Sequence, residues 1–345
     1  MNDFDWHKAR QVVARLDPQA TLQRVWPLRG GVSAQMTALE FAGAASDART
    51  VIVRRAGAWA MQQNPAIIPQ EYAILQAVTQ MGVKAQRPYW LDTSGEIFAD
   101  PYMVIEYIEG APRYAPADSL HFVTQMASHL AALHRLSVGG LQPLAFLPDY
   151  AAQVTTKLAT PPAALDLSLD EGRIRDALTR AWPPASGRRG LLHGDFWPGN
   201  LLWRGEELVA VIDWEDAALG DPLADFATTR LDVLWLFGEA AMQTFSTHYA
   251  SVTGFEMTDL PVWDLVAALR PAGRIDVWAA GWPEMGRPDI TPATMRAGHR
   301  AFVEQALARL SSPPPPHAPP TAQSHAPAQS NSHPPYHPPA KRGSV

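Results

Sequence analysis

Residues 191 to 213 constrain this chain more than any other stretch. Three short apolar runs, LLH (191–193), NLLW (200–203) and ELVAVID (207–213), read as strands around a loop, HGDFWPGN (193–200). The loop sets a histidine, an aspartate and an asparagine around two glycines and a proline, with Asp195 and Asn200 five residues apart. A chain that needed only a turn would not need all three polar side chains. Thirteen residues after Asn200, a second aspartate, Asp213, ends the apolar run VAVI. A carboxylate at the end of a buried strand is costly unless it is paired or bound to a metal.

Those residue types suit one kind of chemistry. Hard cations such as magnesium take oxygen ligands: one or two carboxylates, an amide carbonyl and substrate phosphates. Asn200 and Asp213 fit that demand and leave Asp195 free to accept a proton from a hydroxyl. The set therefore suits phosphoryl transfer, where most of the catalysis is positioning and charge neutralisation. Taken singly, Asp195 reads as an Asx-turn residue, Asn200 as a cap and Asp213 as a cap of the turn before Glu215. In this order and spacing they match a catalytic-loop pattern. His193 reads as structural, bonding backbone around the loop.

Organisation is uneven along the chain. The first hundred residues are β-rich with one helix: MTALEFA (36–42), TVIVRR (50–55) and PYMVIEYIEG (101–110) read as strands. In QEYAILQAVTQMG (70–82), Ile74, Leu75, Val78 and Met81 recur at helical spacing and Gly82 is a stop. Helical pattern follows from about 118, with Phe122, Met126, Leu130 and Leu133 on one face, then over 223–250, 260–281 and 291–310. A β-rich first lobe and a mainly helical second lobe make an α+β bilobal plan. Residues 312–345 hold eleven of the 32 prolines and no acid, and read as a disordered Pro/His-rich tail.

Composition excludes several classes. The chain has no cysteine, so no disulfide framework, Cys-based zinc site or thiol nucleophile. Net charge is −6, and without Lys341 and Arg342 of the tail the body holds 26 basic residues against 34 acidic. That balance argues against nucleic acid as a partner. The acidic, polar start does not read as a secretory signal, and no apolar run is long enough to span a membrane. The expectation is a cytoplasmic enzyme without nucleic-acid or membrane partners; what the tail binds is open.

HGDFWPGN resembles the catalytic loop of protein-kinase-like enzymes, H-x-D-x-x-x-x-N. LLHGDFWPGNLLW followed by VIDWEDAALGDPLADFA resembles, more narrowly, the aminoglycoside phosphotransferase and choline kinase family. The likeness reaches over most of 20–310, and its specificity lies in 191–227. It implies a protein-kinase-like bilobal fold: a nucleotide-binding lobe over 1–108 and a helical lobe with catalytic loop and acceptor site over 109–311. By the same resemblance Asp195 is the catalytic base and Asn200 and Asp213 bind magnesium, while Asp221 and Asp225 stabilise the helical lobe and read as structural. RGGVSAQMTALEF resembles the family's phosphate loop, in which Gly30 and Gly31 let backbone amides approach phosphate and Ser33 adds a donor. Ala34 stands where the family commonly has asparagine. Arg54 takes the place of the lysine that grips the α- and β-phosphates. Glu71 is its partner, and Arg55 points to the other face. The Glu106 carbonyl and Ile108 amide would bond the adenine edge beside Ile105.

The function implied is transfer of the γ-phosphoryl group of ATP, with Mg²⁺, to a hydroxyl of a small molecule such as an aminoglycoside, choline or another metabolite. Acceptor candidates are Trp197, Trp214, Glu215, Asp264, Trp278 and Glu284, since aromatic rings and acids can hold a cation. Two alternatives stand beside this. One is a non-catalytic nucleotide-binding module. The other is a metal-dependent hydrolase using His193, Asp195 and Asp213, for which the remaining body histidines supply no ligand-spaced pair.

Overall fold

The structure, a computed structural model, describes residues 6–28, 34–43, 48–136 and 144–311. Gly30, Gly31 and Ser33 and the proline-rich segment 312–345 lie outside the described residues. The chain is α+β, with a β-rich part first and helices after it. No helix among the described residues is long and apolar enough to cross a membrane.

Five strands, β1 (Thr21–Pro27), β2 (Ala34–Ala42), β3 (Arg49–Ala56), β4 (Pro88–Asp92) and β5 (Tyr102–Glu106), form an antiparallel sheet in the order β1-β2-β3-β5-β4. Side chains alternate across a strand, so β3 divides its residues between two layers. Val51 and Val53 pack with Ala9, Val12 and Val13 of α1 (Trp6–Leu16), a helix not expected from the sequence. After a short helix, α2 (Ala58–Gln63), the chain enters α3 (Ile67–Gln80). Ile52, Met103 and Ile105 share a core with Ile68, Ile74, Leu75 and Val78 of α3, which covers the opposite face. Arg54 follows Ile52 by two and lies on the α3 side. Arg55 lies on the other, with its guanidinium 4.5 Å from the Phe98 ring centroid. Alternation thus separates the two arginines as expected. α3 closes at Gly82 (φ +84), where the Val83 amide reaches back to the Val78 carbonyl at 2.9 Å.

The helices are α4 (Ser119–His134), α5 (Tyr150–Ala159), α6 (Glu171–Ala181), α7 (Leu223–Thr253), α8 (Leu260–Ala268), α9 (Ile275–Gly281) and α10 (Pro292–Ser311). Asp118 caps α4 by accepting from the His121 amide at 2.9 Å. α4 buries Phe122, Met126, Leu130 and Leu133 and packs along α7. The helix expected over 260–281 is broken. α8 stops at Ala268, and α9 starts at Ile275, after turns through Pro271 and Gly273 (φ +69). Proline lacks an amide and disfavours helix at the residue before it, which is Arg270. Arg270 therefore sits in a turn.

Four short strands frame the loops of interest. β6 (Gly190–Leu192) pairs with β9 (Ala218–Gly220), and β7 (Leu201–Arg204) pairs with β8 (Glu207–Val211). Loop 193–200 runs from β6 to β7, and segment 212–217 runs from β8 to β9. The two ribbons hold both ends of both segments together, and the Ile212 amide donates to the Asn200 carbonyl at 2.9 Å between them. Residues thirteen apart in sequence meet for this reason.

The α4–α7 contact gives a stability test. Leu130 is fully buried, so Leu130→Ala should cost about 3 to 5 kcal/mol through lost burial and the cavity left behind. A urea titration should show a lower midpoint with an unchanged slope.

Candidate active site

The loop after β6 is held by one buried carboxylate. Asp225, on the first turn of α7, accepts from the His193 amide at 2.6 Å and the Gly194 amide at 2.9 Å. Its third partner is His134 Nε2 at 3.3 Å, and His134 Nδ1 lies 2.6 Å from the Tyr249 hydroxyl. Burial pushes the Asp225 carboxyl up, but His134 and the His193 amide outweigh it and hold the group below its ordinary value. Gly194 has φ +85, and a Cβ there would lie 2.1 Å from the Asp216 carbonyl oxygen. Only glycine lets the two loops approach this closely. The His193 ring is buried between them: Nε2 donates to the Ile212 carbonyl at 3.0 Å and Nδ1 accepts from the Asp195 amide at 3.3 Å. His193 is thus the structural residue expected. With both ring nitrogens engaged it is not open as a metal ligand, which removes the basis for the hydrolase alternative. Asp221 is also structural, accepting from the Leu223 amide at 2.9 Å.

Asp195 is gripped at both carboxylate oxygens. Asn200 Nδ2 donates to Oδ2 at 3.0 Å and to the Asp195 carbonyl at 2.9 Å. Arg270 donates to Oδ1 at 2.8 Å. Using its amide nitrogen inward leaves Asn200 its Oδ1 as an oxygen donor. Asp213 lies after β8 with φ +65, a left-handed conformation uncommon for residues other than glycine and found at functional sites.

Arg54 ties this loop to the sheet. It is 6% exposed, and its Nε donates to Glu71 Oε2 at 2.8 Å. Its terminal nitrogen lies 3.4 Å from Asp213 Oδ1 and 3.5 Å from Glu215 Oε2. Glu71 occupies the buried stripe of α3, so burial pushes its carboxyl up despite the adjacent arginine. One guanidinium among three carboxylates leaves an excess of negative charge. That excess, with the hard oxygens of Asp213 and Asn200, fits a divalent cation.

Glu106 ends β5. Its amide donates to the Arg87 carbonyl at 2.8 Å, and its carbonyl accepts from Gln86 Nε2 at 2.9 Å, which leaves one lone pair. Ile108 follows, half-buried, whereas Ile105 is inside the core.

A cleft of about 1300 Å³ opens beside the loop, lined by Glu71, Gly194, Glu215, Asp216, Arg270 and Trp278, among others. Several expected acceptor residues do other work. Trp214 is fully buried, with its indole N–H on the Val211 carbonyl at 3.2 Å. Asp264 is buried in an ion pair with Arg230. Glu215 faces Arg54, and Glu284 is exposed away from the cleft lining. Trp197 covers Gly199 and stacks on Tyr114, with ring centroids 5.9 Å apart, edge-on to Trp282. Arg270 was not anticipated. The signal was the Pro271 and Gly273 pair, which marks a break in the helical pattern.

A family model described as "Phosphotransferase enzyme family" matches residues 27–263. Acyl-CoA dehydrogenase family member 11 of Pongo abelii is 25% identical over 206 residues, 54% of this chain and 26% of that protein. The chain thus spans about a quarter of the length of the curated relatives it matches. Among solved structures, the GDP complex of aminoglycoside 2'-phosphotransferase-IIIa superposes with a TM-score of 0.57 at 15% identity, covering 89% of this chain and 97% of that one. Macrolide 2'-phosphotransferase from Brachybacterium faecium superposes with a TM-score of 0.52 at 17% identity, over 88% and 96%. Likeness at such identity shows a shared fold.

Asp225 supplies the site's stability test. Asp225→Asn replaces an oxygen facing an amide with an NH₂, and should cost about 2 to 4 kcal/mol by leaving a buried donor unsatisfied. A carboxyl held low when folded stabilises above its unfolded pKa and loses that contribution as pH falls through its folded pKa. Acid titration of unfolding stability should therefore fall less steeply for Asp225→Asn than for wild type.

Proposed function

The chain belongs to the phosphotransferase enzyme family, and on that footing we propose that it moves the γ-phosphoryl group of ATP to a hydroxyl of a small molecule. The observation that supports this most is the pairing of Asp195 with Asn200 on one loop and of Asp213 with the Arg54–Glu71 pair on the segment bonded to it, beside a cleft lined by Glu71, Gly194, Glu215 and Arg270. Asp195 accepts the proton of the attacking hydroxyl, and its Oδ1 and Oδ2 are already oriented by Arg270 and Asn200. Arg54 presents a planar, permanently charged fork to phosphate oxygens, and Glu71 fixes its direction. Asn200 and Asp213 would hold Mg²⁺, which when bound neutralises charge on the phosphates.

The base edge of the nucleotide meets the Glu106 carbonyl and the Ile108 amide, and Gly30, Gly31 and Ser33 belong to the phosphate loop by resemblance. Residues 1–108 make the nucleotide-binding lobe and 109–311 the lobe that carries the acceptor. A structure of this fold holds GDP, so GTP belongs beside ATP in any assay. The cleft is large for a small-molecule site, which suits a bulky hydroxylated acceptor.

A panel of aminoglycosides, choline and other hydroxylated metabolites, assayed for acceptor-dependent ADP release with Mg²⁺–ATP, tests the reading. Asp195→Asn should lower kcat by about 10² to 10⁴-fold with nucleotide KM unchanged. Equal rates in wild type and variant would sink the base assignment. Nucleotide binding with no turnover across the panel would favour a non-catalytic module.

A further inference from the structure

One face of α7 addresses three successive parts of the catalytic loop. Asp225 takes the amides of His193 and Gly194. Thr229, one turn on, donates from Oγ1 to the Phe196 carbonyl at 2.7 Å. Asp232, at the next position of the same stripe, reaches the loop through Arg270. Residues four and seven apart share a helix face, so the three act in line. The first two hold backbone. The third stands behind a side chain that reaches the base.

Arg270 comes from the turn that interrupts 260–281. One terminal nitrogen lies 2.8 Å from Asp195 Oδ1, and the other lies 3.6 Å from Asp232 Oδ2. A guanidinium is a rigid planar fork, so fixing one prong with Asp232 aims the other. Burial, with Asp195 adding to it, pushes the Asp232 carboxyl up to about 7, against the pull of Arg270. Asp195 thus has two struts: Asn200 from within its own loop, and Arg270, a cleft-lining residue, from the turn after α8.

We infer that Arg270 is a positioning residue that holds the Asp195 carboxylate toward the cleft, with Asp232 as the anchor that aims it. The inference rests on the proposed role of Asp195 as base. Arg270 itself takes no proton. A base displaced by about 1 Å can lose about 10²-fold in rate, and this is the scale expected when the strut is removed.

The full chain with Mg²⁺–ATP, and water as the acceptor, supplies the test through slow ADP release. Arg270→Ala should lower kcat about 100-fold with nucleotide KM unchanged, and added ethylguanidinium should recover a large part of the loss. Arg270→Lys should fall between, because one ammonium cannot bridge both carboxylates, and Asp232→Asn should lower kcat about tenfold with Arg270 intact. Asp195→Asn should be slow and unresponsive to ethylguanidinium. If Asp195→Asn keeps the wild-type rate, the base assignment fails and this inference fails with it. If Asp195→Asn is slow while folded Arg270→Ala stays near wild type, or is not rescued, the inference alone is overturned. Should Arg270→Ala not fold, a wild-type kcat in folded Asp232→Asn overturns it equally.

Discussion

A buried guanidinium must be surrounded by anions, and Arg54 has three carboxylates near it. Much of the candidate site follows from that one constraint. Glu71 interrupts the apolar stripe of α3 and is tolerated because Arg54 meets it at 2.8 Å. Asp213 and Glu215 arrive from another part of the chain, so the pair on the sheet side also fixes the turn after β8. Removing one member of such a set leaves a charge buried without its partner, at a cost of about 3 to 5 kcal/mol. The arrangement adds a charge link between the β-rich part and the loops of the helical part to the apolar core that both share.

The second half of the site is a matter of short distances. Two ribbons, β6–β9 and β7–β8, hold loop 193–200 against segment 212–217, and Gly194 permits the contact with Asp216. α7 then fastens the first loop through Asp225 and Thr229. What remains able to act is the Asp195 carboxylate, the Asn200 amide oxygen and the Asp213 carboxylate. Backbone fastened under a few hard oxygens is the arrangement that positioning-dominated chemistry requires.

Much of this was legible in the sequence because it is local. The spacing of Ile74, Leu75 and Val78 announces α3, alternation puts Arg54 and Arg55 on opposite faces, and the Asp195, Asn200 and Asp213 spacing marks the loop pair. Other features depend on tertiary context. Trp214 and Glu215 are adjacent, yet one is core and the other faces Arg54, and no pattern in DWE distinguishes them. Asp264 looked available in an apolar run, but Arg230 neutralises it in the interior. α1 carries Ala9, Val12, Val13 and Leu16 at helical spacing, a local signal that a β-rich reading of the first hundred residues passes over, and packs them on the sheet. Arg270 was hidden by reading 260–281 as one helix, although Pro271 and Gly273 carry the break.

We propose that Arg54, Asp213 and Asn200 form the phosphate and metal end of a nucleotide site, separate in role from Asp195. Calorimetric titration of ATP into the protein, with and without Mg²⁺, reads this without any acceptor. The account predicts binding that requires Mg²⁺, is lost in Asp213→Asn and persists in Asp195→Asn. Equal binding without Mg²⁺, or undiminished binding in Asp213→Asn, would contradict it.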